Sequence, residues 1–167
     1  GRALQNVAVV ARRGEVLGHG VKPRLRTFDV FDEARYFEPR RDTTPNVVDV
    51  DGVRVGVSVC EDLWNDDTLW KQVDLWRDKT PGHHRLYASD PIRELADAGM
   101  ELLVNLSASP WAQGKIDVRT KVIANAATRY RVPVVYANHV GANDGLIFDG
   151  TSFVYAADGG CIARLPC

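Results

Sequence analysis

The sequence predicts an α/β layered fold, and three observations carry that prediction. β-Branched runs at residues 47–50 and 53–59 flank Asp51-Gly52, a pair suited to a tight hairpin turn. Apolar strand-like runs at 101–106 and 132–137 then alternate with helical patterns that follow Asp90 and Ile116. The chain has 167 residues, 45% hydrophobic and 26% charged, which is ordinary globular composition with length for one sizeable core. A single domain, 1–167, is the expectation.

Taken in order, residues 6–11 and 15–21 read as strands around the turn Arg12-Arg13-Gly14. Residues 22–44 are irregular and rich in Arg, Asp, Phe and Pro, the signature of a long structured loop. The hairpin at 47–59 runs directly into Cys60. Residues 65–89, with Trp70, Trp76, His83 and His84, have no clean period and read as an insertion with one helical turn. Asp90 is an N-cap with Pro91 at the first helical position and Gly99 as the stop. The strand at 101–106 leads into Ser107-Ala108-Ser109-Pro110-Trp111, a small-residue loop at a strand's C-terminal end, where sites commonly form. Ile116, Arg119, Ile123, Ala126, Ala127 and Tyr130 share a helical face, and Arg129 and Arg131 suit the helix C-terminus. After the strand at 132–137, residues 138–150 are polar and glycine-rich. Their centre, 141–145, lacks the lysine and following helix of a phosphate loop and reads as a turn-rich loop. Strands at 151–156 and 161–165, joined by Asp158-Gly159-Gly160, close the chain.

Lys and Arg number 21 against 22 Asp and Glu, a balance that gives no support for a nucleic-acid or anionic-membrane partner. Cys60, Cys161 and Cys167 form neither a disulfide framework nor a structural zinc pattern, which fits a reducing cytoplasm. His83 and His84 are adjacent and point in different directions, so no metal site is expected. No apolar run approaches the roughly 20 residues of a membrane helix.

The chemistry centres on Cys60, which ends a buried strand and opens a turn whose free N–H groups suit an oxyanion. It reads either as a nucleophile or as a small buried hydrophobe. Lys22, at the end of the second strand, is either the cation beside that thiol or a solvated surface lysine. Glu33 is either a positioning carboxylate or a local ion-pair partner of Arg35. Glu61 and Asp62 suit capping of the turn after the thiol.

Four ordered motifs then converge: Val30-Phe31-Asp32-Glu33 with Arg35-Tyr36-Phe37, Cys60-Glu61-Asp62-Leu63-Trp64, Asn105-Leu106-Ser107-Ala108-Ser109-Pro110, and Ile147-Phe148-Asp149-Gly150. Together they resemble the glutaminase domain of glutamine-dependent NAD synthetases, a carbon–nitrogen hydrolase branch of the nitrilase superfamily. The resemblance implies a nitrilase-like α-β-β-α sandwich with Cys60 as nucleophile, Lys22 as catalytic lysine and Glu33 as the assisting glutamate. It places the Glu61 backbone N–H with the Lys22 ammonium at the oxyanion, and Ser109 and Trp64 along a glutamine pocket. Ser107 is expected to secure the loop. Phe28 stands where the family has a substrate-adjacent tyrosine.

The implied reaction is attack of Cys60 on the side-chain amide of glutamine, release of ammonia, and hydrolysis of the thioester to glutamate. The ammonia serves ATP-dependent conversion of nicotinate adenine dinucleotide to NAD. The implied partners are glutamine, a NAD synthetase domain and, in a homo-oligomer, further copies of the chain. No cofactor is implied for the glutaminase step; ATP and Mg belong to the synthetase domain. The family's general-base glutamate lies upstream of residue 6, with a first strand and helix. The chain is therefore read as N-terminally incomplete and without the synthetase domain. Arg26-Thr27 replace the family's proline and asparagine, and Gly145 an acidic residue. Two further readings follow from these departures: an amidase acting on another small amide, and a catalytically silent, partner-binding remnant.

Overall fold

The computed structural model describes residues 4–27, 32–65 and 90–167. Phe28, the Val30-Phe31 part of the first motif, and Trp70, Trp76, His83 and His84 of the expected insertion lie outside the described residues.

Strands β1 (Val7–Arg12) and β2 (Glu15–Val21) form an antiparallel hairpin that stands apart from the main sheet. Strands β3 (Val47–Val50) and β4 (Val53–Val59) form the next hairpin. Its turn places Asp51 at φ 56° and Gly52 at φ 83°, the paired left-handed residues that bring two twisted strands back together. Helix α1 (Pro91–Asp97) begins as its sequence dictates: Asp90 Oδ1 accepts from Ile92 N at 3.1 Å and Arg93 N at 3.2 Å. Strand β5 (Leu102–Ser107), helix α2 (Lys115–Tyr130) and strand β6 (Val134–Asn138) follow.

Strands β7 (Val140–Asn143) and β8 (Leu146–Asp149) make a hairpin where a loop is expected. Its turn, Asp144-Gly145, has the same left-handed pair, φ 47° and 79°, as the Asp51-Gly52 turn. Gly141 and Asn143 are weak strand formers, which hides this hairpin from propensity. Strand β9 (Phe153–Tyr155) starts later than the expected strand at 151, because Thr151 sits in the left-handed region at φ 54°. Strand β10 (Cys161–Arg164) closes the described chain.

The main sheet has six strands in the order β10-β9-β6-β5-β4-β3. Its centre, β4-β5-β6, is parallel; the outer pairings are antiparallel. Successive side chains of a strand point to opposite faces, and the two faces differ here. One face packs Leu103, Val134, Tyr136 and Phe153 against Ile92 and Leu95 of α1 and Val122, Ile123, Ala126 and Ala127 of α2. The other packs Val55, Val57 and Val59 of β4 against Ala8 of the β1–β2 hairpin. The layers among the described residues are therefore α, β and β. Parallel β4 and β5 end side by side at Val59 and Leu106, and that shared C-terminal edge carries the site.

Candidate active site

Cys60 is the first residue of a five-residue 3-10 helix, Cys60–Trp64, at the end of β4. Its φ is +49°, a left-handed conformation that costs a non-glycine residue about 1–3 kcal/mol and persists where the surroundings impose it. One constraint is visible: buried Asp62 folds back so that Val59 N donates to its Oδ2 at 2.9 Å. The Asp62 carboxyl group thus fixes the turn that displays the thiol, as expected of a capping residue.

Lys22 follows β2, and its side chain is 2% exposed. Its ammonium meets Glu33 Oε2 at 2.5 Å. Glu33 belongs to a separate 3-10 turn, Glu33–Arg35, and also accepts from Arg26 N at 2.6 Å and from Asn6 Nδ2 at 3.1 Å. Three donors fill this carboxylate, so it is built to hold a cation in place. Of the two sequence readings for Glu33, the local pairing with Arg35 is replaced by the long-range one with Lys22. A buried pair of this kind is expensive to break, about 3–5 kcal/mol, because the survivor is left uncompensated.

A cavity of about 340 Å³ joins these groups; Lys22, Glu33 and Cys60 line it together with Asn6, Arg26, Val59, Leu106, Ser107, Ala108 and His139. Cys60, Lys22 and Glu33, from three separate segments, thus meet in one place. Burial pushes the Cys60 thiol up, against the pull of Lys22 and Arg26. Burial likewise raises Glu61, opposed by Arg26, whose Nη1 lies 3.7 Å from Glu61 Oε2. Lys115 is lowered, chiefly by desolvation, and its ammonium stands 5.9 Å from the Trp64 ring centroid.

Glu61, Trp64 and Ser109 are not among the cavity-lining residues. Ser107 and Ala108 form the wall in Ser109's stead, while Ser109 is 3% exposed and donates from its N–H to Asn138 Oδ1. Ser107, expected only to secure the loop, does both: it faces the cavity and donates from Oγ to Asn105 Oδ1 at 2.7 Å. Sequence reasoning missed Asn6, Arg26 and His139 as cavity residues. Nothing local marks Asn6 or His139. Arg26 carried one signal, a charged residue in place of a proline, and only a non-proline residue has the N–H that Glu33 accepts. Among the described residues, no group of three His, Cys, Asp or Glu side chains is arranged to hold a metal ion, and no helix is long and apolar enough to cross a membrane.

A strained thiol thus stands at the C-terminal edge of a parallel sheet beside a buried lysine–glutamate pair, and the fold that carries it has solved counterparts. An amidase of the nitrilase superfamily from Nesterenkonia, 23% identical, superposes with a TM-score of 0.71 over 96% of this chain and 50% of that one. Another structure of the Nesterenkonia amidase, TM-score 0.70, shows covalent addition of the acetamide moiety of fluoroacetamide at its active-site cysteine. No protein-family model matches the chain.

In sequence, the chain is similar over nearly its whole length to glutamine-dependent NAD(+) synthetases. It is 40% identical over 165 residues, 99% of its length, to the synthetase of Synechocystis sp.. The synthetase of Acinetobacter baumannii, solved in complex with adenosine diphosphate, is 30% identical and matches 97% of the chain with a TM-score of 0.77. The chain spans only 27% of the Synechocystis protein and 26% of the Acinetobacter chain, about a quarter of each.

Proposed function

We propose that the chain is the glutamine-hydrolysing part of a glutamine-dependent NAD synthetase, forming one carbon–nitrogen hydrolase domain. The observation that carries this reading is the meeting of Cys60 with the Lys22–Glu33 pair in one cavity, on a chain homologous throughout to such synthetases. Cys60 sulfur attacks the carbonyl carbon of the glutamine side-chain amide. Lys22, held by Glu33, and the N–H groups of the turn after Cys60 stabilise the oxyanion. The C–N bond then breaks, and the nitrogen leaves as ammonia with the proton lost by the thiol. Water adds to the thioester carbon, the C–S bond breaks, and glutamate departs from the restored thiol.

The ammonia is consumed by a synthetase unit that amidates nicotinate adenine dinucleotide with ATP and Mg. The glutaminase step itself uses no cofactor. The protein works in the cytoplasm and with a second copy of itself; exposed Val9, Val16, Val140 and Ile147 support further apolar contacts around the described residues.

Release of ammonia and glutamate from glutamine, with Cys60→Ala as the blank, tests the proposal. Equimolar, Cys60-dependent products support it. Folded protein that releases neither above the blank refutes it, and equal turnover of acetamide and glutamine makes the protein a general amidase instead.

A further inference from the structure

Helix α2 buries one charged side chain. Arg119 is fully buried, and its guanidinium forks onto Asp149, with Nη2 2.9 Å from Oδ1 and Nη1 3.1 Å from Oδ2. Nη2 also lies 3.5 Å from both the Oγ and the carbonyl oxygen of Ser109, and Nη1 3.5 Å from the carbonyl of Gly150. Asn138, at the end of β6, closes the network: its Oδ1 accepts from Ser109 N at 2.9 Å. Its Nδ2 donates to Gly150 O at 2.7 Å and reaches Asp149 Oδ1 at 3.4 Å. Ser109 is thus tied through its N–H, its carbonyl and its hydroxyl, immediately after the Ser107 and Ala108 that wall the cavity.

Two considerations set this apart from ordinary core filling. Well-packed apolar residues commonly match or exceed a buried ion pair in stability, so a core built for stability alone has no need of Arg119. Thr151, two residues beyond Asp149, is buried, β-branched and held at φ 54°, where such a residue is an outlier. Strain of that kind persists where the surroundings over-determine it, and it clusters at functional sites.

We propose that the Arg119–Asp149 pair, with Asn138, is a positioning device that sets the Ser107–Ala108 wall against Cys60. These residues act through the loop and touch no substrate. The inference rests on the reading of Cys60 as the nucleophile of a glutaminase.

Two electrophiles separate a positioning role from a merely structural one. Iodoacetamide is small and reports the thiol; 6-diazo-5-oxo-norleucine is glutamine-shaped and must be seated by the wall. In the full chain, Arg119→Lys keeps the charge but loses the fork, and Asn138→Ala removes the tie to Ser109 while leaving the ion pair. Both are expected to keep the wild-type iodoacetamide rate and lose about 100-fold in reaction with the glutamine-shaped reagent, the cost of a misplacement near 1 Å. If Arg119→Lys fails to fold, Asn138→Ala carries the test alone. Parallel loss with both reagents, or no loss with either, overturns the inference. Wild type that takes iodoacetamide but resists the glutamine-shaped reagent overturns the glutamine reading, and the inference falls with it.

Discussion

Asp62 gives the structure its clearest pH signature. Its carboxyl is 1% exposed, and burial raises its pKa from 3.8 to about 7, against the Val59 N–H bond, Lys22 and Arg24, which lower it. Glu61 adds to the rise. Between those two pH values the folded protein holds a proton that the unfolded chain has lost, so stability falls as pH rises. The contribution is full below about pH 4, falls by about 1.4 kcal/mol per pH unit, and levels off above about pH 7. The total is about 4 kcal/mol at 1.36 kcal/mol per unit, an order-of-magnitude figure. Asp62→Asn abolishes the titration and retains an amide oxygen to accept from Val59 N. Urea unfolding at intervals from pH 4 to pH 9 should show wild type losing stability relative to the variant, with the difference growing up to neutrality and constant above it. Glu61 and Cys60 titrate in both proteins and largely cancel in that difference. A difference that is flat from pH 4 to pH 8, or that favours wild type as pH rises, refutes the account of a buried, protonated Asp62.

Cys60, raised by burial, should react with iodoacetamide more slowly than free cysteine at pH 8 and accelerate steeply at higher pH; a faster reaction at pH 8 contradicts that environment. Lys22→Met removes the largest charge favouring the thiolate and leaves Glu33 without its cation, so it should slow alkylation further and cost about 3–5 kcal/mol in urea unfolding. Unchanged stability in that variant would mean the Lys22–Glu33 pair is not formed. Gly56→Ala should lower the melting temperature, because the new Cβ meets Met100 Sδ at 2.8 Å and Met100 Cβ at 3.1 Å; about 1–3 kcal/mol is expected, and a neutral result means Met100 moves aside.

Much of the fold is legible locally. Asp51-Gly52 between β-branched runs, Asp90-Pro91 before a helical period, and Gly99 after it each specify an element within a few residues. The β7–β8 hairpin was not legible, since Gly141 and Asn143 suppress the strand pattern and pairing across the turn supplies what propensity does not. Thr151 falls within the strand expected at 151–156, but its left-handed backbone, φ 54°, keeps it out of β9. The signal for that pair lay in the sequence as a charged residue on the otherwise apolar face of a helix.

The sequence by itself determined the α/β class, the thiol displayed after a buried strand, and, through four motifs, the homology that the comparisons bear out. Turn geometry, helical period and capping depend on neighbours a few residues away, so they survive reading one residue at a time. Only the tertiary structure decided what surrounds Cys60. Asn6, Arg26 and His139 come from segments far apart in the chain, and Ser107 takes the cavity wall while Ser109 is buried and tied to Asn138. Parallel β4, β5 and β6 end at one edge of the sheet, and that strand order brings Cys60 beside the Ser107 loop and His139. Strand order is a property of the folded whole, set by which faces bury which residues, and no local window of sequence contains it.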